Sequence, residues 1–583
     1  MPSASLRASR TWVASVCVPV WLLLVAVATG WGLGSYPLVE PDEGRNAEVA
    51  REMVASGDYV VPRLQGLPYL DKPTLFFAAT AGSLRLGGNG EGAARAVSLL
   101  CALLTAALVA AAARRLVGRQ AAWVAATVAL CSPLMLAFAR TVIFDSMLTL
   151  VVTAALLSFL FAVEAAASGE RWRGWCVAGW AAIAAGVLVK GPVALLLPLL
   201  VAIPYAAWRR RSRALWHPAG PAVLVVIIVP WLWWMDRAVP GFLHYALVVE
   251  TWRRVTTSEL HRTAPWWYYL PMVLLGCFPW TFVLLGDAVA ARRERRRGAP
   301  VAAPARDPRL VFLLLWVALP LVFFSLSQSK RPQYVLPLVP AIALLVAYAW
   351  SREGRAARTG ARLAAIAWLA IGVVFAAARL QLPQHARRLS ADLAQAAAQA
   401  LPLLALAAIA AGLLALLAVA RGWQPAALAA LALPIALLPL ITLPAMAVVA
   451  HERSTPLLAR ALAPHLEDGA RVVGVKAYSP TLAFYLQRPY PVATANAEEL
   501  RSNYLLRTSE RWIGAPGSLL RSRGEVADTL ARCEAPTFAL VDRGRPEERE
   551  LAGQGMVPFA TSEDYVLFGP CRARAGGSPA GGR

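Results

Sequence analysis

The chain has 583 residues, 58% of them hydrophobic and 16% charged, with a formal net charge of +23. A soluble fold cannot hide that much apolar surface, so disorder, collagen, a small disulfide scaffold and most soluble enzymes are excluded and a polytopic membrane protein remains. The positive charge fits either nucleic acid or membrane topology, and the positions of the cations decide between them.

A helix crosses the hydrocarbon layer with about 20 residues at 1.5 Å rise. Apolar stretches of this order fall at roughly 12–34, 93–113, 121–138, 143–163, 174–189, 191–207, 219–235, 266–286, 310–326, 333–350, 363–378, 400–420 and 425–449, which predicts about 13 transmembrane helices. The first is read as a span rather than a cleaved signal peptide, because its apolar run is long for an h-region. With the N-terminus inside, the inside segments hold 23 Lys and Arg, and the five outside connections after the third to eleventh odd-numbered spans hold 11. This bias predicts a cytoplasmic N-terminus and an extracytoplasmic C-terminal segment, and it explains the charge without nucleic acid.

The expected domains are a membrane domain at 1–450, with a first external loop at 35–92, an external α/β domain at 451–574, and a disordered Gly- and Ser-rich tail at 575–583. In the first loop, Pro41 followed by Asp42 and Glu43 is a helix start and Gly57 a stop. Ala50, Met53 and Val54 supply an apolar stripe, which predicts a helix lying on the membrane surface. Asp42 and Arg45, three residues apart, would share a face.

Only four of the 57 basic residues are lysines: Lys72, Lys190, Lys330 and Lys476. The first three fall at outside ends of predicted spans, where a compact ammonium can either snorkel to headgroups or bind a phosphate as a point charge. Asp145 lies at the outer end of the fourth span. Acids and cations on one face suit a base working beside a phosphate leaving group.

In the C-terminal segment, Arg471 to Val475 and Thr537 to Val541 read as strands separated by helix-like and turn segments. Cys533 and Cys571 are the only cysteines there, so a disulfide is allowed in an oxidising compartment. Cys17, Cys101, Cys131, Cys176 and Cys277 lie in spans and read as packing residues. The six histidines show no metal-ligand spacing.

Several segments carry a family likeness: Asp42-Glu43-Gly44-Arg45-Asn46-Ala47-Glu48, Ser56-Gly57-Asp58-Tyr59, Gly66-Leu67-Pro68-Tyr69, Asp71-Lys72-Pro73, Asp145, Lys190-Gly191-Pro192, Pro265-Trp266-Trp267-Tyr268-Tyr269 and Tyr334-Val335-Leu336-Pro337. Together they resemble the bacterial branch of the GT-C glycosyltransferases, and within it the aminoarabinose (4-amino-4-deoxy-L-arabinose) lipid A transferases, relatives of the protein O-mannosyltransferases. The likeness is strong from residue 36 to about 350 and weaker in the C-terminal segment.

The resemblance implies transfer of a sugar, by inversion, from a polyprenyl-phosphate donor to lipid A or another envelope glycan or protein acceptor, on the periplasmic face of a bacterial inner membrane. It implies Asp42, Arg45 and Asp145 as catalytic residues. Lys72, with Tyr69, Lys190, Lys330 and Tyr334, would bind the lipid phosphate or line the lipid cavity. No cofactor is required. A divalent metal near Asp71 and His261 is the open case, because Glu250-Thr251 stands where family members often carry an acid followed by His or Asn, and the position of Asp71 is frequently Glu. A protein O-mannosyltransferase-like enzyme is the alternative in the same class. A transporter is the alternative in another class, but it would ordinarily show internal repeats and ionisable residues near the midplane, neither of which is found here.

Overall fold

The computed structural model describes residues 18–246, 264–297, 307–352 and 355–571. These residues form two compact units. One contains 95–234 and most of 247–445, and the other joins 34–94 and 235–246 to the C-terminal segment from 446. The first loop, grouped by sequence with the membrane segments, therefore belongs to the same compact unit as the C-terminal segment.

The first unit is helical. Eight helices among the described residues are long and apolar enough to cross a membrane, or ten when each of two bent pairs is taken as one span. The bends, 64° between Arg119–Leu130 and Pro133–Ala139 and 98° between Trp266–Gly276 and Trp280–Arg293, fall where the sequence pattern ran on as single spans at 121–138 and 266–286. A proline at or just after each break withholds a backbone N–H and crowds the preceding turn, so the chain turns there. The other three expected spans correspond to Val18–Gly30, Arg173–Lys190 and Val193–Trp208. By the length and composition of its helices the chain is a multi-pass membrane protein, with a C-terminal α/β portion.

Lipid offers little hydrophobic drive between helices, so close approach has to come from small residues. A Cβ at Gly286 on Trp280–Arg296 would lie 2.4 Å from the Gly360 Cα of Arg355–His385, and one at Gly360 would lie 2.4 Å from the Val283 carbonyl. The two backbones touch there, and only glycine fits.

In the second unit, the first loop begins with helix Asp42–Ser56, stopped by Gly57 in the left-handed region at φ 70°. It continues through a two-stranded hairpin, β1 (Arg63–Leu64) with β2 (Leu67–Pro68), into helix Leu75–Gly87. The surface-lying helix expected from the sequence is not found. Glu43, Asn46, Glu48, Arg51 and Glu52 are buried along with Ala47, Val49, Ala50 and Met53, because the helix packs against both Leu75–Gly87 and Pro480–Leu486. Its buried charges are compensated: Glu48 takes Arg51 in a two-pronged pair at 2.7 Å and 2.7 Å, and Glu52 accepts the N–H groups of Gln65 at 2.6 Å and Gly66 at 2.9 Å.

The C-terminal segment adds a six-stranded sheet in the order β5-β4-β3-β6-β8-β7. Here β3 is Arg471–Val475, β4 Val492–Ala493, β5 Leu520–Arg521, β6 Thr537–Asp542, β7 Pro558–Thr561 and β8 Tyr565–Phe568. Strands β5, β4, β3 and β6 are parallel, and β8 and β7 close the sheet antiparallel. Both strands read from the sequence are present. Helix Arg523–Arg532 packs on the sheet through Val526 and Leu530, and Cys533 is disulfide-bonded to Cys571. The expected tail at 575–583 lies outside the described residues.

Helix Asp42–Ser56 meets Pro480–Leu486 at Gly44, where an added Cβ would lie 2.4 Å from Thr481 Cγ2. Thr481 is not free to swing away, since its hydroxyl contacts Glu40 at 2.5 Å and Thr455 at 2.8 Å. Alanine would gain about 1 kcal/mol of helix propensity, but overpacking costs about 1–3 kcal/mol. Gly44→Ala is therefore expected to lower the melting temperature of the purified protein; a raised one would show that Thr481 yields.

Candidate active site

Asp42 and Arg45 sit on the first turn of their helix, where a helix N-terminus favours acidic side chains. Arg45 donates an Nη2 hydrogen bond to Asp42 Oδ1 at 2.5 Å, and its Nη1 donates to the Arg501 carbonyl at 3.1 Å. Its guanidinium also lies 5.9 Å from the centre of the Tyr69 ring. Burial works against the charge of Arg45, but Tyr69, Asp42 and Asp71 outweigh it and leave the guanidinium more basic than usual. The Asp42 side chain keeps 37% of its exposure against 14% for Arg45, so the carboxylate is both held and accessible. A fixed, accessible carboxylate beside a permanent cation is a competent general base or electrostatic partner for a phosphate-leaving reaction.

Lys72 follows the hairpin, and its Nζ donates to the backbone carbonyl of Asp71. Asp71 itself is buried and engaged by four donors. Oδ1 accepts from Tyr245 Oη at 3.1 Å, Ser502 Oγ at 3.2 Å and the Tyr504 N–H at 2.9 Å, and Oδ2 accepts the Asn503 N–H at 2.9 Å. It is turned to the start of helix Asn503–Thr508. His261, the other candidate metal ligand, lies outside the described residues, among which no cluster of three or more His, Cys, Asp or Glu could hold a metal ion.

Two residues before Asp42 is a carboxylate that the sequence reading did not single out. Glu40 Oε1 accepts from Ser479 Oγ at 2.5 Å, Thr481 Oγ1 at 2.5 Å and the Thr481 N–H at 3.2 Å, and Oε2 accepts from Tyr565 Oη at 2.8 Å. Burial raises its pKa above the usual carboxylate range, and these hydrogen bonds offset part of the rise. Its partners lie more than 430 residues away in sequence, so no local pattern could mark it.

In the helical unit, Asp145 opens helix Asp145–Ala167 and Lys190 ends helix Arg173–Lys190. They form a buried ion pair. Lys190 Nζ also lies 5.1 Å from the Phe144 ring centre and 4.8 Å from that of Tyr334, which brings three of the expected residues together. The second Asp145 oxygen, Oδ2, is buried with no hydrogen-bond partner among the described residues. Lys330 Nζ donates to the Ser327 carbonyl at 2.5 Å, at the end of helix Pro308–Leu326.

The family model for dolichyl-phosphate-mannose-protein mannosyltransferase matches residues 71–234. The undecaprenyl phosphate-α-4-amino-4-deoxy-L-arabinose arabinosyl transferase of Erwinia tasmaniensis is 34% identical over 345 residues, 58% of this chain and 60% of that protein. A second enzyme of that name from Pseudomonas fluorescens is 30% identical over 387 residues, 65% of this chain and 68% of that protein. The matched stretch thus spans about three fifths to two thirds of these relatives' length. Over nearly the whole fold, the crystal structure of ArnT from Cupriavidus metallidurans bound to undecaprenyl phosphate superposes with a TM-score of 0.81 at 28% identity, covering 97% of this chain and 100% of that one. Its apo form gives 0.78 at 28% identity, covering 97% and 98%. The likeness read from the motifs is confirmed, and this chain belongs to the undecaprenyl phosphate-α-4-amino-4-deoxy-L-arabinose arabinosyl transferase family.

Proposed function

We propose that this protein is a membrane glycosyltransferase that moves 4-amino-4-deoxy-L-arabinose from an undecaprenyl-phosphate donor to lipid A. The observation that carries this reading is the Asp42–Arg45 pair, fixed at the start of its helix with the Asp42 side chain 37% exposed. The names of the relatives and the undecaprenyl phosphate in the ArnT structure support the donor. As the anomeric C–O bond breaks, its electron pair moves onto the phosphate. Fixed cations bind that developing charge more strongly than the intact donor. In this reading Lys72 and Arg45 bind the phosphate charge beside Tyr69, and Lys190, Lys330 and Tyr334 of the helical unit are donor-binding residues in their own right. Asp42 takes the proton of a hydroxyl acceptor or, when the acceptor is a phosphate, stabilises positive charge on the sugar. Asp145 aids in holding the sugar, with its unengaged oxygen as acceptor.

The test is direct. Purified protein given undecaprenyl-phosphate aminoarabinose and lipid A releases undecaprenyl phosphate, and mass spectrometry finds the sugar on lipid A. Release with the sugar instead on an exported protein would favour the protein O-mannosyltransferase-like alternative.

We also infer that the N-terminus is cytoplasmic and the C-terminal segment extracytoplasmic. The cation bias supports this, and so does the Cys533–Cys571 disulfide, since such bonds persist in oxidising compartments. A cysteine placed at the exposed Arg549 is expected to react with a membrane-impermeant maleimide in cells with a permeabilised outer membrane. One at the exposed Arg421 should react only after lysis. The reverse pattern would overturn the orientation.

A further inference from the structure

The residues proposed to act in transfer on the first loop, Asp42 and Lys72, each stand beside a buried carboxylate that reaches into the C-terminal segment. Glu40, two residues before Asp42, is held by Ser479, Thr481 and Tyr565. Its own backbone N–H donates to the Arg453 carbonyl at 3.0 Å. Asp71, the neighbour of Lys72, is held by Ser502, by the N–H groups of Asn503 and Tyr504, and by Tyr245. Arg45 adds a hydrogen bond to the carbonyl of Arg501, one residue before Ser502. Attachments at residues 40, 45 and 71 therefore tie the stretch of the loop that carries Asp42 and Lys72 to the C-terminal segment.

We propose that Glu40 and Asp71 are positioning residues through which the segment 453–571 fixes Asp42 and Lys72, making that segment part of the transfer machinery rather than an appendage. The proposal rests on the reading that Asp42 and Lys72 act in transfer. Removing an anchor leaves the reacting groups in place chemically but displaces them, and a misplacement of about 1 Å can cost about 100-fold in rate.

The two anchors differ in a way that supplies the control. Every side-chain partner of Glu40 is a hydroxyl, which can turn to accept as well as donate, and only one partner is a backbone N–H. Glutamine can keep its oxygen on Thr481 N–H and give its amide to Tyr565 Oη. Asp71 has a backbone N–H at each oxygen, Tyr504 at one and Asn503 at the other. Whichever way an asparagine is turned, its amide NH₂ faces a backbone donor.

The experiment measures kcat and the donor KM of full-length purified variants, with folding followed by thermal melting. Asp71→Asn and Glu40→Ala are expected to lower kcat by about 10- to 100-fold with donor KM changed less than about threefold, and Glu40→Gln to recover most of the loss. Tyr565→Phe, which removes one donor to Glu40, is expected to lower kcat in the same direction and serves if Glu40→Ala does not fold. Wild-type kcat in Asp71→Asn and in Glu40→Ala or Tyr565→Phe, while Asp42→Asn is inactive, would overturn the positioning role and leave the reading of Asp42 standing. Full turnover by Asp42→Asn would overturn that reading first, and this proposal with it.

Discussion

Asp42→Asn is expected to lower turnover by about 10²- to 10⁴-fold, the range over which a positioned acid or base contributes. The change is nearly isosteric. The asparagine keeps an oxygen for the Nη2 hydrogen bond of Arg45, which also retains the Arg501 carbonyl and the Tyr69 ring face. The protein should therefore stay folded, and a loss of rate then measures the missing charge and basicity rather than a collapsed site. Release of undecaprenyl phosphate, followed with acceptor present, reads the effect. Unchanged KM for the donor would place the loss in the transition state. Turnover at the wild-type rate would remove Asp42 from the chemistry.

What the sequence could and could not reveal follows from the range of the interactions involved. Helix Asp42–Ser56 was legible because Pro41 and Gly57 act on their own backbone, and strands β3 and β6 because short apolar runs with β-branched residues lie between breakers. The Asp42–Arg45 pair was legible for the same reason, as three residues along a helix fix a shared face. The burial of that helix was not legible. Its Glu48, Arg51 and Glu52 become buried only once Leu75–Gly87 and Pro480–Leu486 pack against the helix, the second across more than 400 residues. The role of Glu40 and the partners of Asp71 were hidden likewise, since those partners are hydroxyls and backbone N–H groups, which leave no pattern in the sequence. The scarcity of lysine drew attention to Lys190. It did not reveal that this lysine is paired with Asp145, because helix ends 45 residues apart meet only once the bundle has packed.

That pair yields the second large effect. Lys190→Ala is expected to destabilise the protein by about 3–5 kcal/mol, because it leaves the Asp145 carboxylate buried, 1% exposed, without its cation. One Asp145 oxygen already lacks a hydrogen-bond partner among the described residues, so the loss of Lys190 adds to a deficit already present. The expected result is a large drop in melting temperature and in the yield of folded protein. Removing both charges at once is different in kind: in Asp145→Asn with Lys190→Met the buried pair is replaced by neutral side chains of similar size, and such replacements are often close to neutral for stability. The methionine still packs between the rings of Phe144 and Tyr334. Folding should therefore return in the double variant. Activity should not, if Lys190 faces the donor phosphate and Asp145 the sugar, since neither charge remains to do so. The combination separates the two roles: a double variant that is both folded and fully active would make the pair a purely structural one, and a double variant as unstable as Lys190→Ala would show that the pairing, rather than the unpaired carboxylate, holds these helix ends together.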